Sequence, residues 1–233
     1  MALHLCKTKR PSDATEEPDV EGELGYFGLA SWWSTVLTAA QRAHIEERFQ
    51  PSGLPPGSRP LTTGRKRLSL RSAAMLLTAV AGSLRSDPDD RTLALEILRK
   101  AEQRAKTEED RLGLHFTYQE TIHLYCKWRD RFFDALDLIF GACHKQIAMA
   151  PEVAQILHEQ NPKSPLPIHA GFQMMVVLLE KEESYAQAIE LCKQARFQGW
   201  KGNWTWRIGS LAKKLGQKGN PVQAMSPSGL GPL

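Results

Sequence analysis

His115, Gln119, His123 and Cys126 follow one another at spacings of four, four and three residues. On a helix that spacing lays them along one slowly drifting stripe. Imidazole and thiolate groups so placed can share a transition metal. A catalytic zinc site also needs a third strong ligand and, in the H-E-x-x-H arrangement, a Glu base beside it. Glu120 is expected on a different face from His123, and H-E-x-x-H does not occur. His144, beside Cys143, is the residue that could add a ligand from a neighbouring helix. The competing reading is a polar stripe between packed helices, each imidazole bonded to a neighbour. That reading is adopted, and no metal or other cofactor is expected.

Nucleophilic chemistry fares no better. The thiols are Cys6, Cys126, Cys143 and Cys192, none beside a Gly-rich turn that could form an oxyanion hole. There is no G-x-x-x-x-G-K-[ST], no G-x-G-x-x-G after a strand and no G-x-S-x-G. An enzyme, metal-dependent or thiol-based on the His/Cys stripe, is therefore the lesser alternative, and no catalytic residue is assigned. The thiols form no C-x-x-C pair and are too sparse for a disulfide framework. This suits a reducing compartment and predicts a cytoplasmic chain.

The densest aromatic stretch is Trp200-Lys201-Gly202-Asn203-Trp204-Thr205-Trp206-Arg207. Trp and Arg dominate the energetics of protein interfaces, so Trp200, Trp204, Trp206 and Arg207 are the candidate partner-binding residues. The alternative is that the indoles close the end of a core. Charge adds little: 30 Lys and Arg against 26 Asp and Glu give +4. The basic run Arg65-Lys66-Arg67 with Arg71 has no stacking aromatic beside it. Nucleic acid is therefore not the expected partner. A nucleic-acid-associated module stays as an alternative, to be judged by whether that run shares a face with Arg207, Lys213, Lys214 and Lys218.

The elements that hold these residues read as helices throughout. Ala94, Ile97, Leu98, Ala101 and Ala105 recur at helical spacing between Thr92 and Ala105, and Leu114, Tyr118, Ile122 and Tyr125 do so between Leu114 and Trp128. Thr38 followed by Gln41 matches a capping box for a helix from Ala39 to about Phe49. Further helices are expected over 66–84, 132–148, 152–159, 169–181, 185–198 and 204–215, with no sheet. The apolar run Ala73–Ala81 falls short of the ~20 residues that cross a bilayer, so no membrane partner is expected. Residues 1–24 and 219–233, rich in Pro, Gly and polar residues, are expected as disordered tails. Between them the expected plan is an N-terminal helical hairpin over 25–50, a linker loop over 51–65 and a helical domain over 66–218.

Three helix starts resemble one another: Ala94-Leu95-Glu96-Ile97, Ala135-Leu136-Asp137-Leu138 and Ala188-Ile189-Glu190-Leu191. A small residue lets two helices cross closely, and the apolar residues that follow enter the groove between them. Tyr185, Ala188, Cys192 and Ala195, preceded by Phe172 and Val176, resemble the two helices of a tetratricopeptide repeat over 166–200. Trp200 stands where that family has its closing proline. The spacings Ala94 to Ala135 and Ala135 to Ala188 are 41 and 53 residues, against a family period of about 34. The resemblance implies an all-α fold of antiparallel helical hairpins stacked in a tetratricopeptide-like array. It also implies a non-catalytic scaffold that binds a protein or peptide.

Overall fold

A computed structural model describes residues 20–64, 68–131 and 134–218. The tail residues 1–19 and 219–233 and the basic run Arg65-Lys66-Arg67 lie outside them. The chain divides into two compact units between Ser69 and Leu70, and it is mostly helical, as expected.

The first unit holds three helices: α1 (Gly22–Tyr26), α2 (Ala30–Val36) and α3 (Ala39–Arg48). The capping box forms. Gln41 N donates to Thr38 Oγ1 at 3.2 Å, and Thr38 N donates to Gln41 Oε1 at 2.9 Å. Arg42 Nη1 closes the end of α2 by donating to the carbonyls of Ser34 and Leu37, at 3.0 and 2.6 Å. Helices this short cannot cover one another, so the chain after α3 folds back over them. Glu23 N and Leu24 N donate to the carbonyls of Pro60 and Leu61 at 3.0 Å, and Leu61 is fully buried. Two expectations change here. Residues 22–24 belong to α1 rather than to a tail, and the described part of the expected linker is packed into this unit.

The second unit runs α4 (Ala73–Leu84), α5 (Arg91–Thr107), α6 (Arg111–Trp128), a 3-10 turn (Arg129–Arg131), α7 (Ala135–Ala148) and α8 (Ala150–Gln160). Then come β1 (Leu166–Ile168), α9 (Ala170–Lys181), α10 (Tyr185–Phe197), β2 (Trp200–Lys201) and α11 (Trp204–Lys218). Each helix packs on the next along α4, α5, α6 and α7, and again along α9, α10 and α11. In addition α4 touches α6, while α9 leans on both α6 and α7. The stripe Ala94, Ile97, Leu98, Ala101 and Ala105 of α5 is buried as a whole, and so are Ala188, Cys192 and Ala195 of α10. No helix among the described residues is long and apolar enough to cross a membrane.

Three boundaries differ from expectation. The first helix of this unit starts at Ala73 rather than near residue 66, because Ser72 Oγ accepts from Met75 N at 3.2 Å and stops the helix there. The same hydroxyl donates to Asp110 Oδ2. Asp110 in turn caps α6, accepting from Gly113 N at 2.8 Å, so the starts of α4 and α6 are tied together. Pro151 does not separate two helices by a loop. It occupies the first turn of α8, where its missing N–H costs nothing. Finally, a small sheet exists: β1 pairs in parallel with β2, Leu166 opposite Trp200 and Ile168 opposite Lys201.

Two hairpin turns close alike. Glu109 and Glu183 adopt left-handed backbone, φ 52° and 56°. The following N–H groups, of Asp110 and Ser184, reach back to Ala105 O and Leu179 O, both at 2.8 Å. This is the Schellman closure, here built without glycine.

Candidate functional site

The helical stripe does not act as a unit. His115 is fully buried, whereas His123 is half-exposed beside Arg85 and Glu120. Contrary to expectation Glu120, three residues earlier, shares the face of His123, with Oε2 3.7 Å from His123 Nδ1. Arg85 Nη1 donates to both Glu120 oxygens, at 2.8 and 2.9 Å, and lies 3.4 Å from His123 Nδ1. His144, on α7, is exposed and packs on Phe140 with ring centroids 4.5 Å apart. Burial pushes the Cys126 thiol up to about 11 and that of Cys143 to about 12, and Cys192 is also raised by burial. These thiols are protonated at neutral pH and poor nucleophiles. Among the described residues no three His, Cys, Asp or Glu side chains converge as a metal site would need.

What His115 meets instead is a second buried imidazole that the sequence reading passed over. His169 caps α9, its Nδ1 accepting from Phe172 N at 3.2 Å. The two rings lie 5.0 Å apart, and Trp200 of β2 stacks on His115 at 5.6 Å while meeting His169 edge-on at 4.7 Å. Gln146 of α7 joins the knot. Its Oε1 accepts from Gly171 N at 2.7 Å, so its Nε2 is the donor towards His115 O and His115 Nε2, at 3.3 and 3.4 Å. This assigns the His115 proton to Nδ1 and the His169 proton to Nε2. Neither of those two buried nitrogens has an acceptor among the described residues. A second proton on either ring would sit where a backbone or amide donor already points. Burial pushes His115 down to about 4, and burial with the neighbouring His115 takes His169 to about 3. The pair is a neutral structural knot that joins α6, α7, α9 and β2.

The four aromatic-stretch residues divide between core and surface. Trp200 and Trp204 are buried, Trp204 Nε1 donating to Trp200 O at 2.7 Å and Trp200 Nε1 to Gln198 Oε1 at 2.9 Å. Arg207 is partly covered and lies 3.6 Å from Glu180, which also takes Lys214 Nζ at 2.7 Å. Trp206 alone of the four stands out, 72% exposed.

An open groove of about 250 Å³ lies elsewhere, floored by α6 and walled by α5 and α7. Leu95, Leu98, Tyr118, Tyr125 and Leu138 give it an apolar lining, and Arg99, Glu102, Asp137 and Lys145 a charged rim. Burial works against the charge of Glu102, but Lys106, Lys145 and the Tyr118 hydroxyl outweigh it and hold the carboxyl below its usual range. Tyr118 donates to Glu102 Oε1 at 3.0 Å, and Arg91 lies over the Tyr125 ring at 5.3 Å. Leu136 and Phe140 of α7, 54% and 40% exposed, do not line this groove. The sequence carries a signal for it: Leu138 falls off the buried Ala135–Ile139–Ala142 stripe and still is not polar.

The first unit has a larger hollow, about 680 Å³, between α3 and the loop that follows it. Glu46 borders it, its carboxyl raised by burial, yet that carboxylate already accepts from Thr62 and lies 4.0 Å from Arg59. Most of its wall is the loop after α3, and it holds no aromatic side chain. The groove over α6 is formed by three helices and holds Tyr118 and Tyr125, so that groove is the better-built surface. No protein-family model, no curated protein and no solved structure matches this chain.

Proposed function

We propose that the chain is a non-catalytic scaffold that binds a protein or peptide partner, its second unit a stack of tetratricopeptide-like hairpins. The order of packing supports the stack: α4 with α5, α6 with α7, and α9 with α10 pair as hairpins, and the leading helices α4, α6 and α9 touch in turn. The burial of Ala188 and Cys192 between helices supports the assignment of α10 as a second helix of such a pair. The observation that carries the function is the groove over α6. Its apolar floor with a ring of both charge signs suits a short amphipathic segment whose apolar side chains enter while its polar groups meet the rim.

The test is selection of binders from a random peptide display library on the full chain. Enriched peptides should carry spaced apolar residues, and Gly141→Arg, which fills the groove from α7, should abolish their binding. Trp206→Ala, remote from the groove, should leave it unchanged. Peptides that bind Gly141→Arg as well as the parent chain would refute the groove as the site.

A further inference from the structure

The last two long helices carry a charge imbalance that the net charge hides. Residues 191–218 hold seven Lys or Arg and no Asp or Glu, while the rest of the chain holds 23 against 26. Some of these cations are spent inside the fold: Arg207 and Lys214 on Glu180, Lys193 on Glu190. Arg196, Lys201 and Lys213 are exposed and form no ion pair with a described carboxylate.

Two large rings stand in the same stretch. Phe197 is 93% exposed and Trp206 72%. Arg196 Nη1 lies 3.5 Å from Thr205 Oγ1, which holds the end of α10 against the first turn of α11, and each ring belongs to the residue that follows this contact. Along α11, Trp206 and Lys213 are two turns apart on the outward stripe. The inward stripe is buried at Trp204 and Leu211 and opens only at Leu215, 40% exposed, near the end of the helix.

That burial decides between anionic partners. A lipid surface would need the apolar side of α11 to insert, and the core already holds it. An acidic polypeptide would neutralise the cations but has no general use for two protruding rings. A single-stranded nucleic acid uses both, phosphates on the cations and base faces on the rings. We infer that the exposed end of α10 and the outward stripe of α11 bind single-stranded nucleic acid, with backbone phosphates on Arg196, Lys201 and Lys213 and bases stacked on Phe197 and Trp206. Contacts of these two kinds carry no sequence information, so binding is sequence-blind.

The experiment titrates the full chain into a labelled twenty-nucleotide oligo(dT) and follows anisotropy and tryptophan fluorescence at several salt concentrations. Three phosphate contacts on a single strand give a log–log salt slope of about −2, hence ~20-fold weaker binding at 200 mM than at 50 mM salt. Trp206→Ala should remove most of the fluorescence quench and weaken binding about 5-fold or more. Lys213→Glu should weaken binding and flatten the slope by about 0.7 or more. Both positions are exposed, and circular dichroism melts check that the variants fold; Lys201→Glu replaces Lys213→Glu if that one does not. No binding at 50 mM salt would overturn the inference. So would affinities unchanged in both variants, tighter binding to poly-glutamate of equal charge, or tighter binding to phosphatidylserine vesicles.

Discussion

Acidification from pH 7 to pH 5 should destabilise the second unit, and the His115–His169 knot sets the amount. In the unfolded chain both imidazoles take their ordinary value of 6.5; in the fold burial holds them at about 4 and about 3. Their folded values are depressed, so the neutral pair contributes its full stability above pH 6.5. That contribution is lost as pH falls towards the folded values, because the unfolded chain binds the protons first. At pH 5 each unfolded imidazole is about 1.5 pH units below its own value while the folded rings are still mostly neutral. At 1.36 kcal/mol per unit this is about 2 kcal/mol each, or about 4 kcal/mol for the pair. The assay is urea denaturation at half-unit pH steps, read by fluorine NMR of 5-fluorotryptophan at Trp200, which stacks on His115 and so reports this unit. Glu46, the raised carboxyl of the first unit, has the opposite sign and does not enter that signal. His169→Asn keeps an acceptor for the α9 cap and removes one titrating group, so it should lower stability at pH 7 yet halve the pH dependence. Stability that is flat between pH 7 and pH 5, or an unaltered slope in His169→Asn, would refute the account of the buried pair.

Three further substitutions probe the helix packing and the turns. Ala188 is fully buried in α10 and Gln187 beside it is exposed. Ala188→Leu should therefore cost about 1–3 kcal/mol by overpacking and Gln187→Leu no more than about 0.5 kcal/mol. Denaturant melts of the pair check this, and equal stabilities would count against a close helix crossing at Ala188. Glu109→Gly should raise stability by about 1 kcal/mol, since an exposed L-residue there adopts the left-handed region that glycine enters without penalty. A lower melting temperature in that variant would show that the Glu109 side chain outweighs its backbone strain.

Local signals carried far along this chain. The Thr38–Gln41 box forms because both partners lie within four residues, and the α5 stripe is buried because helical spacing kept from Ala94 to Ala105 leaves one apolar face and a core to receive it. What escaped was decided by distant partners. Ser72 begins α4 because Asp110 holds its hydroxyl, while the apolar pattern before it reads equally well as more helix. The strand pair is too short for alternation to register, and Leu166 and Trp200 are joined only once α9 and α10 fold between them. The histidine stripe was visible, but its spacing could not reveal that His115 would meet His169, a residue that local context marks only as the start of a helix. The groove was legible in part, through Leu138 lying off the buried stripe of α7.

The pairing of β1 with β2 also has a mechanical meaning. The two strands run parallel, so tension entering before Leu166 and leaving after Lys201 pulls them along their axes in opposite directions. Their hydrogen bonds are then loaded together in shear rather than opened one by one as in a peeled hairpin. The clasp also closes a loop that contains α9 and α10, with Trp200 seated on the buried imidazoles at its base. Under a pull along the chain, α11 lies outside this loop and can uncoil first. The α9–α10 pair stays shielded from the force until the clasp slips, so the end of the chain extends in two steps rather than one.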